Sequence, residues 1–281
     1  MECEKNRNIR MIGLDLDGTV FNDEKKITAH TKEVLAAAIR RGIVVLPATG
    51  RPQSGLPEEF LEIPGVRYAV TSNGGRIVDL ESGEAVYECR MPWELTQQVI
   101  RQVRDVPGSV WEVYCDGKCL VEKEEYRYIE HPLMPQALKD YIRKSRIYVP
   151  KLTEKLRENR AGAEKMHMLF ERTEDRDGTL ELLRQNQDLQ VSIAAPFNLE
   201  INYARAGKGK GLLELGRLLG IRREEIMACG DSWNDWTMLK SVGFPVVMGN
   251  ADPETKKLGA FITRSNEEDG AAYAIEKFIL H

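Results

Sequence analysis

The chain of 281 residues has few of the features that mark secreted or zinc-dependent proteins. Its 5 cysteines are an odd, scattered set and its 4 histidines are equally dispersed, so neither a disulfide framework nor a zinc site is indicated. Cys115 and Cys119 form the closest pair, but no second pair or nearby histidine completes a metal site. We expect reduced thiols in a cytoplasmic protein.

Long apolar runs are missing as well. No stretch approaches the roughly 18 apolar residues that a membrane-spanning helix requires. The first residues, MECEKNRNIRM, lack the apolar segment of a secretory signal. A net charge of −4 gives no broad positive surface for nucleic acid or acidic lipid. We therefore expect no nucleic-acid or membrane partner, although local positive charge can still bind a small anion.

The apolar residues that are present alternate between strand and helix patterns. Runs at residues 9–16 and 43–48 predict buried strands, and a helical stripe between them begins after Thr28 and ends at Gly42. The same alternation returns after residue 209. A strand–helix–strand series of this kind predicts an α/β fold with a doubly wound, Rossmann-like parallel sheet.

The middle of the chain has a different pattern. Residues 84–196 contain strand-like runs between helical ones, without the regular order of the two ends. We predict a core made of residues 1–83 and 197–281, interrupted by an inserted α/β cap domain at residues 84–196. A segment of this length is too large for a simple loop.

The segment LDLDGTVF places Asp15 and Asp17 at the carboxyl end of the first predicted strand. Open parallel sheets bind ligands at those ends. Two carboxylates about 4 Å apart repel by about 4 kcal/mol at an effective dielectric of about 20, so a cation or a proton is expected between them. Oxygen ligands of this kind suit Mg²⁺, with Asp17 contributing its side chain or its backbone carbonyl. A solvated pair of turn aspartates is the alternative.

Two further segments supply groups that bind anions. ATGR follows the second predicted strand and offers the hydroxyl of Thr49, the accessible backbone of Gly50 and the charge of Arg51. GKGKG opens a predicted helix with Lys208 and Lys210, where a lysine and free N–H donors together bind phosphate. Taken alone, each segment is equally compatible with an ordinary turn or a solvated loop.

The fourth segment, GDSWND, follows the strand predicted at residues 226–229. It supplies Asp231 and Asp235 at the start of a helix, with Asn234 between them. A helix cap explains one acidic residue but not both. Together the four segments provide carboxylates, a hydroxyl, a lysine and glycine-rich turns, which are the groups that phosphoryl transfer uses.

The order DLDGT, ATGR, GKGKG and GDSWND resembles the four motifs of the haloacid dehalogenase-like phosphatases. The large insertion between the second and third motifs is similar to the Cof-type branch, as are the short segments SNGG, LEI and MGNA. The likeness covers the core, whereas the cap resembles the branch in length and position. It implies a Mg²⁺-dependent phosphatase acting on a small phosphate ester, such as a sugar phosphate, with the cap as a lid.

The resemblance also implies roles for the motif residues. Asp15 matches the nucleophile that takes the phosphoryl group, and Asp17 matches the general acid and base. The positions that match phosphate-binding residues are Thr49, Gly50, Lys210 and Asn234. The positions that match metal ligands are Asp15, Asp17 and Asp231, supported by Asp235 and Arg51.

The choice between the two lysines rests on the family pattern. Its lysine directly precedes a glycine and a leucine-bearing helix, as in KGLL here. This pattern favours Lys210, with Lys208 as the alternative.

Two other functions are compatible with the same core. A phosphomutase would return the phosphoryl group to a sugar and would require a sugar bisphosphate. A non-catalytic sensor would bind a phosphorylated metabolite, but binding alone gives no reason for a second carboxylate at Asp17. Turnover that depends on Mg²⁺ distinguishes an enzyme from a sensor.

Overall fold

The computed structural model of the protein describes residues 8–122, 136–160 and 162–281. These residues form two compact units. The first comprises the chain up to residue 50 with residues 56–87 and 207–281, and the second comprises residues 51–55 and 88–206. Strands and helices occur in both, which confirms the predicted α/β class.

The described strands, in chain order, are β1 (Met11–Leu14), β2 (Val44–Pro47), β3 (Tyr68–Thr71), β4 (Arg76–Asp79), β5 (Ala85–Glu88), β6 (Ser109–Cys115), β7 (Lys118–Glu122), β8 (Arg146–Val149), β9 (Lys165–Phe170), β10 (Leu189–Ser192), β11 (Asn198–Tyr203), β12 (Ile226–Gly230), β13 (Phe244–Val247) and β14 (Phe261–Ile262). The described helices are α1 (Ala29–Arg40), α2 (Glu58–Leu61), α3 (Trp93–Val103), α4 (Gln136–Ser145), α5 (Leu152–Asn159), α6 (Thr173–Arg184), α7 (Lys208–Leu219), α8 (Trp236–Ser241), α9 (Pro253–Lys256) and α10 (Gly270–Ile275). Within these ranges, every helix is too short or too polar to cross a membrane.

A five-stranded sheet in the order β14-β13-β12-β1-β2 forms the centre of the first unit. All four neighbouring pairs are parallel. Alternate residues of β1 face opposite sides. Ile12 packs in one cluster with Leu35 of α1 and Ile275 of α10, whereas Met11 packs with Leu212 of α7 in another. Helices therefore cover both faces, and the predicted doubly wound, Rossmann-like core is confirmed.

The order of the strands determines where the motif residues meet. β1 pairs with β12 on one side and with β2 on the other, so the loops after these three strands leave the same edge of the sheet. The first, second and fourth motifs occupy these loops. A separate three-stranded sheet, β3-β4-β5, continues from the edge of β2 through a bridge between Ala48 and Val70.

The second unit contains a six-stranded mixed sheet in the order β10-β11-β9-β6-β7-β8. One of its faces is apolar and forms the core of the unit. Buried charges lie elsewhere on the sheet and are paired, since Arg146 lies 2.8 Å from Glu112, and Lys165 lies 2.6 Å from Glu200. Such pairing is required when ionised groups are removed from water.

The observed boundaries of the two units differ from the predicted domain limits. Residues 84–87 belong to the first unit, and residues 197–206 belong to the second. The second difference arises because β11 pairs antiparallel with β9 and β10. The segment LEI, residues 199–201, lies within β11, and a local pattern of apolar residues carries no information about which sheet such a strand joins.

Candidate active site

Asp15 lies immediately after β1, at the carboxyl edge of the parallel sheet. Its backbone N–H donates to the carbonyl of Cys229 at 3.0 Å, which continues the pairing of β1 with β12. The residue is only 5% exposed. Burial, followed by the charges of Asp235 and Asp231, raises the pKa of Asp15 well above its usual range, while Lys208 acts in the opposite direction. Asp15 is thus a buried carboxyl group among like charges.

Lys208, the first residue of α7, lies against this carboxylate. Its Nζ is 2.5 Å from Oδ1 of Asp15 and 2.7 Å from Oδ1 of Asp235. The lysine is 1% exposed. Burial by itself would lower the pKa of the Lys208 ammonium, but Asp15 and Asp235 raise it far above its usual value. Lys208 therefore remains charged and neutralises part of the negative charge.

The structure contradicts the preference for Lys210 as the lysine that faces the carboxylates. Lys210 is exposed, whereas Lys208 is buried. Successive residues of a helix turn by about 100°, so two lysines two positions apart point to nearly opposite sides. Only one of them can face the edge of the sheet, and it is Lys208.

Asp235 lies in a short 3₁₀ turn, Trp233–Asp235, and is fully buried. Its Oδ2 accepts hydrogen bonds from the backbone N–H groups of Asp231 at 3.1 Å and Ser232 at 3.2 Å, and its Oδ1 accepts from Lys208. Both oxygens of this carboxylate are therefore occupied by N–H donors. Asp235 fixes the loop that contains Asp231 and holds the lysine in place.

Asp231 completes a group of three carboxylates. Oxygen atoms of Asp15, Asp231 and Asp235 lie within 4.8 Å of one another. Thr19 donates its hydroxyl to Oδ1 of Asp231 at 3.0 Å. Burial, followed by the charge of Asp235, raises the pKa of Asp231 to about 6. Burial and a neighbouring negative charge both disfavour the ionised form of a carboxyl group, which accounts for the direction of this shift.

Gly18 explains why the first motif contains a glycine after its second aspartate. Its φ of +85° lies in the left-handed region. A Cβ atom at this position would lie 2.5 Å from Oδ2 of Asp231. Both the backbone conformation and the available space therefore require a residue without a side chain.

Asp17 does not join the three clustered carboxylates. Its side chain is 46% exposed, and Oδ1 lies 3.1 Å from Nζ of Lys25. The structure thus does not place its side chain among the candidate metal ligands. Participation of its backbone carbonyl at a metal site and its role as acid and base remain predictions.

Thr49 lies two residues after β2, the strand next to β1, and is 2% exposed. Its backbone N–H donates to Val70 at 2.9 Å, and its carbonyl accepts from Asn73 at 3.0 Å. The motif threonine is therefore held by the end of β3 at the same edge of the sheet as Asp15, with Gly50 following it.

Two other predicted residues are placed differently. Arg51 belongs to the second unit, where its guanidinium carbon lies 4.6 Å from the centre of the Tyr141 ring. Asn234 lies in the turn next to Asp235, and its Oδ1 accepts a hydrogen bond from the Ser232 hydroxyl at 2.6 Å. Phosphate binding by Asn234 and support by Arg51 remain predictions.

The sequence analysis missed the roles of Thr19 and of the SNGG segment. Thr19 belongs to DLDGT, so its position in the motif was a usable signal. In SNGG, Gly74 has a φ of +89°, and a Cβ atom there would lie 2.2 Å from the carbonyl oxygen of Gly207. This close approach places the segment against the start of α7, which positions Lys208.

A buried aspartate paired with a lysine, beside two more carboxylates at the edge of a doubly wound sheet, defines an enzyme of the phosphoryl-transfer class. The sequence model of the haloacid dehalogenase-like hydrolases matches residues 12–275, and the chain belongs to this family. The resemblance inferred from the motifs is thereby confirmed.

Comparisons with individual proteins agree with this assignment. A 5-amino-6-(5-phospho-D-ribitylamino)uracil phosphatase of Bacillus subtilis is 28% identical over 275 residues, covering 97% of each chain. A haloacid dehalogenase-like hydrolase of Bacteroides thetaiotaomicron has 29% identity and a TM-score of 0.77, covering 95% of this chain and 98% of that one. The fold of a B. subtilis haloacid dehalogenase-like hydrolase matches with a TM-score of 0.83, at 24% identity and coverage of 95% and 99%. The chain is a phosphatase, that is, a phosphoric monoester hydrolase.

Proposed function

We propose that the protein is a Mg²⁺-dependent phosphatase that transfers the phosphoryl group of a small metabolite first to Asp15 and then to water. The observation that carries this proposal is the buried Asp15 carboxylate, 2.5 Å from the Lys208 ammonium and adjacent to Asp231 and Asp235. A carboxylate nucleophile needs such a neighbouring cation before it can approach an anionic phosphate.

The donor set fits Mg²⁺. The three clustered carboxylates offer hard oxygen atoms, which this ion prefers. When all three are ionised, one lysine leaves an uncompensated negative charge, which a divalent cation would offset. Asp15, Asp231 and the backbone carbonyl of Asp17 would hold the ion, because both oxygens of Asp235 already accept from N–H donors. Bound there, Mg²⁺ supplies Lewis-acid stabilisation of the phosphate charge.

The residues of the chain then act in two steps. In the first, an oxygen of Asp15 forms a bond to phosphorus, the bond from phosphorus to the ester oxygen breaks, and Asp17 gives that oxygen a proton. In the second, Asp17 takes a proton from water as the water attacks phosphorus, which releases phosphate and restores Asp15. Lys208, Thr49 and Gly50 neutralise and orient the transferring group.

The relatives support a small substrate. Two B. subtilis relatives, 28% and 27% identical to this chain, are named as phosphatases of 5-amino-6-(5-phospho-D-ribitylamino)uracil, a phosphate ester of a sugar alcohol. A sugar phosphate or a comparable phosphorylated metabolite is therefore the proposed substrate class.

Turnover of a panel of phosphate esters by the wild type and by Asp15→Asn tests the proposal. The panel should include sugar phosphates, sugar bisphosphates, nucleotides, pyridoxal phosphate and an aryl phosphate. We expect phosphate release by the wild type in Mg²⁺ and none by Asp15→Asn. Asp188→Asn serves as the control and should have wild-type rates, because Asp188 is exposed and lies outside all four motifs.

A rapid acid quench during turnover should also leave one phosphoryl group on the peptide that contains Asp15. Activity of Asp15→Asn under conditions that exclude deamidation would refute the covalent mechanism. Transfer of phosphate to a second sugar instead of water would identify a phosphomutase, and binding without turnover would identify a sensor.

A further inference from the structure

Lys25 places an ammonium group against the carboxylate of Asp17. The distance from Nζ to Oδ1 is 3.1 Å, and both side chains are about half exposed, at 50% and 46%. An ion pair this exposed contributes little to folding stability. Its position is nevertheless notable, because Asp17 is the proposed acid and base.

The backbone of Lys25 has an unfavourable conformation at the position from which its side chain contacts Asp17. Lys25 has a φ of +61°, in the left-handed region that residues with a Cβ rarely adopt. The backbone N–H of Lys25 donates to the carbonyl of Asn22 at 2.9 Å. The backbone N–H of Lys26 donates to Oδ1 of Asn22, also at 2.9 Å. A tight turn across residues 22–26 therefore fixes the direction in which Lys25 leaves the backbone.

The turn is attached to the rest of the first unit by polar contacts. Nδ2 of Asn266 donates to the carbonyl of Phe21 at 3.1 Å, and the N–H of Asp23 donates to Glu267 at 2.6 Å. Nδ2 of Asn250 donates to the carbonyl of Gly18, next to Asp17, at 2.9 Å. Loops after β13 and β14 thus hold both the turn and the segment that contains the acid.

We propose that Lys25 is a positioning residue for Asp17. It holds the carboxyl group in the orientation from which a proton is passed to the leaving oxygen and later taken from water. This inference rests on the proposed acid and base role of Asp17. A catalytic group needs a fixed geometry. The strained and anchored turn at residues 22–26 supplies it, because it directs Lys25 towards the carboxylate of Asp17.

The first test compares Lys25→Asn with Lys26→Ala. Asparagine removes the ammonium but tolerates the left-handed backbone, so the fold should be kept. Lys26 lies on the same turn and pairs instead with Glu24, at 2.9 Å, which makes it a matched control. We expect Lys25→Asn to lower kcat on an alkyl phosphate roughly tenfold, with little change in KM, because misplaced catalytic groups lose rate rather than binding. On an aryl phosphate, whose leaving oxygen needs little protonation, the loss should be smaller.

Lys25→Arg should restore most of the alkyl phosphatase rate, because it retains a cation of similar reach. Lys26→Ala should behave as the wild type with both substrates. Equal losses on aryl and alkyl phosphates, or no loss at all in Lys25→Asn, would overturn the inference.

A double-mutant cycle separates positioning from a direct role in binding or folding. If Lys25 acts through Asp17, Lys25→Asn should cause almost no further loss in an Asp17→Asn background. An undiminished loss in that background would overturn the inference while leaving the acid role of Asp17 intact. Full activity of Asp17→Asn on alkyl phosphates would overturn the acid role itself, and the inference with it.

Discussion

The ammonium of Lys208 contacts two buried carboxylates at once, at 2.5 Å from Oδ1 of Asp15 and 2.7 Å from Oδ1 of Asp235. This arrangement links the third motif to the first and the fourth. Of the two lysines of GKGKG, Lys208 contacts these carboxylates and Lys210 is exposed. Replacing each of them in turn should therefore have different effects on activity.

Lys208→Ala should lower kcat/KM roughly 10²- to 10³-fold, the loss typical of removing one charge-stabilising group from a preorganised site. Lys210→Ala should retain activity close to that of the wild type, because Lys210 is exposed on α7. Steady-state kinetics of both variants, with circular dichroism to check folding, measure the difference. The opposite ranking would mean that Lys210 turns towards the substrate when it binds.

Asp231 should make the stability of the metal-free protein depend on pH. Its pKa is raised from 3.8 to about 6, so the folded protein binds more protons than the unfolded chain between these values. Stability should therefore be greatest at low pH within this window and fall by about 3 kcal/mol as pH rises through it. Thermal unfolding in a chelator at about pH 5 and about pH 8 measures this dependence.

Asp231→Asn should reduce that dependence and raise the melting temperature of the chelated protein at the higher pH. Mg²⁺ should stabilise the wild type more than the variant, because binding to the folded state adds to stability. Asp188→Asn, an exposed carboxylate, serves as the control and should follow the wild type. A wild-type pH dependence in Asp231→Asn would show that Asp231 is not the titrating group.

Gly18→Ala should impair the site in a way that Gly42→Ala does not. The two glycines have nearly the same φ, +85° and +82°, so alanine is strained to a similar degree at both. A Cβ at Gly18 would meet Asp231, whereas the space around Gly42 is open. We expect similar losses of stability but a large loss of activity and of Mg²⁺ affinity in Gly18→Ala alone. Titration of activity with Mg²⁺ measures the affinity, and equal kinetics in the two variants would contradict this account.

Excess Ca²⁺ should inhibit the enzyme when Mg²⁺ is present. Calcium accepts more oxygen ligands at longer distances, which would draw additional oxygens into the site and disturb the in-line attack of Asp15. Turnover at constant Mg²⁺ with increasing Ca²⁺ measures this effect, with excess Na⁺ as a control for ionic strength. Full activity in the presence of a chelator would refute the requirement for a divalent cation.

The sequence alone determined the class of the fold and the order of the motifs. Strand and helix periodicity depends on local patterns of apolar residues, which are visible without any contact information. The parallel sheet follows from that alternation, and its carboxyl edge then brings together Asp15, Thr49 and Asp231 whatever the details of packing. These residues were identified because each follows a predicted strand.

Tertiary structure alone decided between Lys208 and Lys210, and it assigned β11 to the second unit. The first choice depends on how α7 is rotated about its axis, which the contact between Gly74 and Gly207 and the packing of Leu212 determine. The assignment of β11 depends on which neighbouring strands have backbone N–H and C=O groups available for pairing, here β9 and β10. A local sequence pattern does not contain this information. The ion pair between Lys25 and Asp17 likewise requires a turn that brings residues 8 positions apart into contact. Such contacts arise from the packing of the whole unit, and a sequence pattern does not contain them.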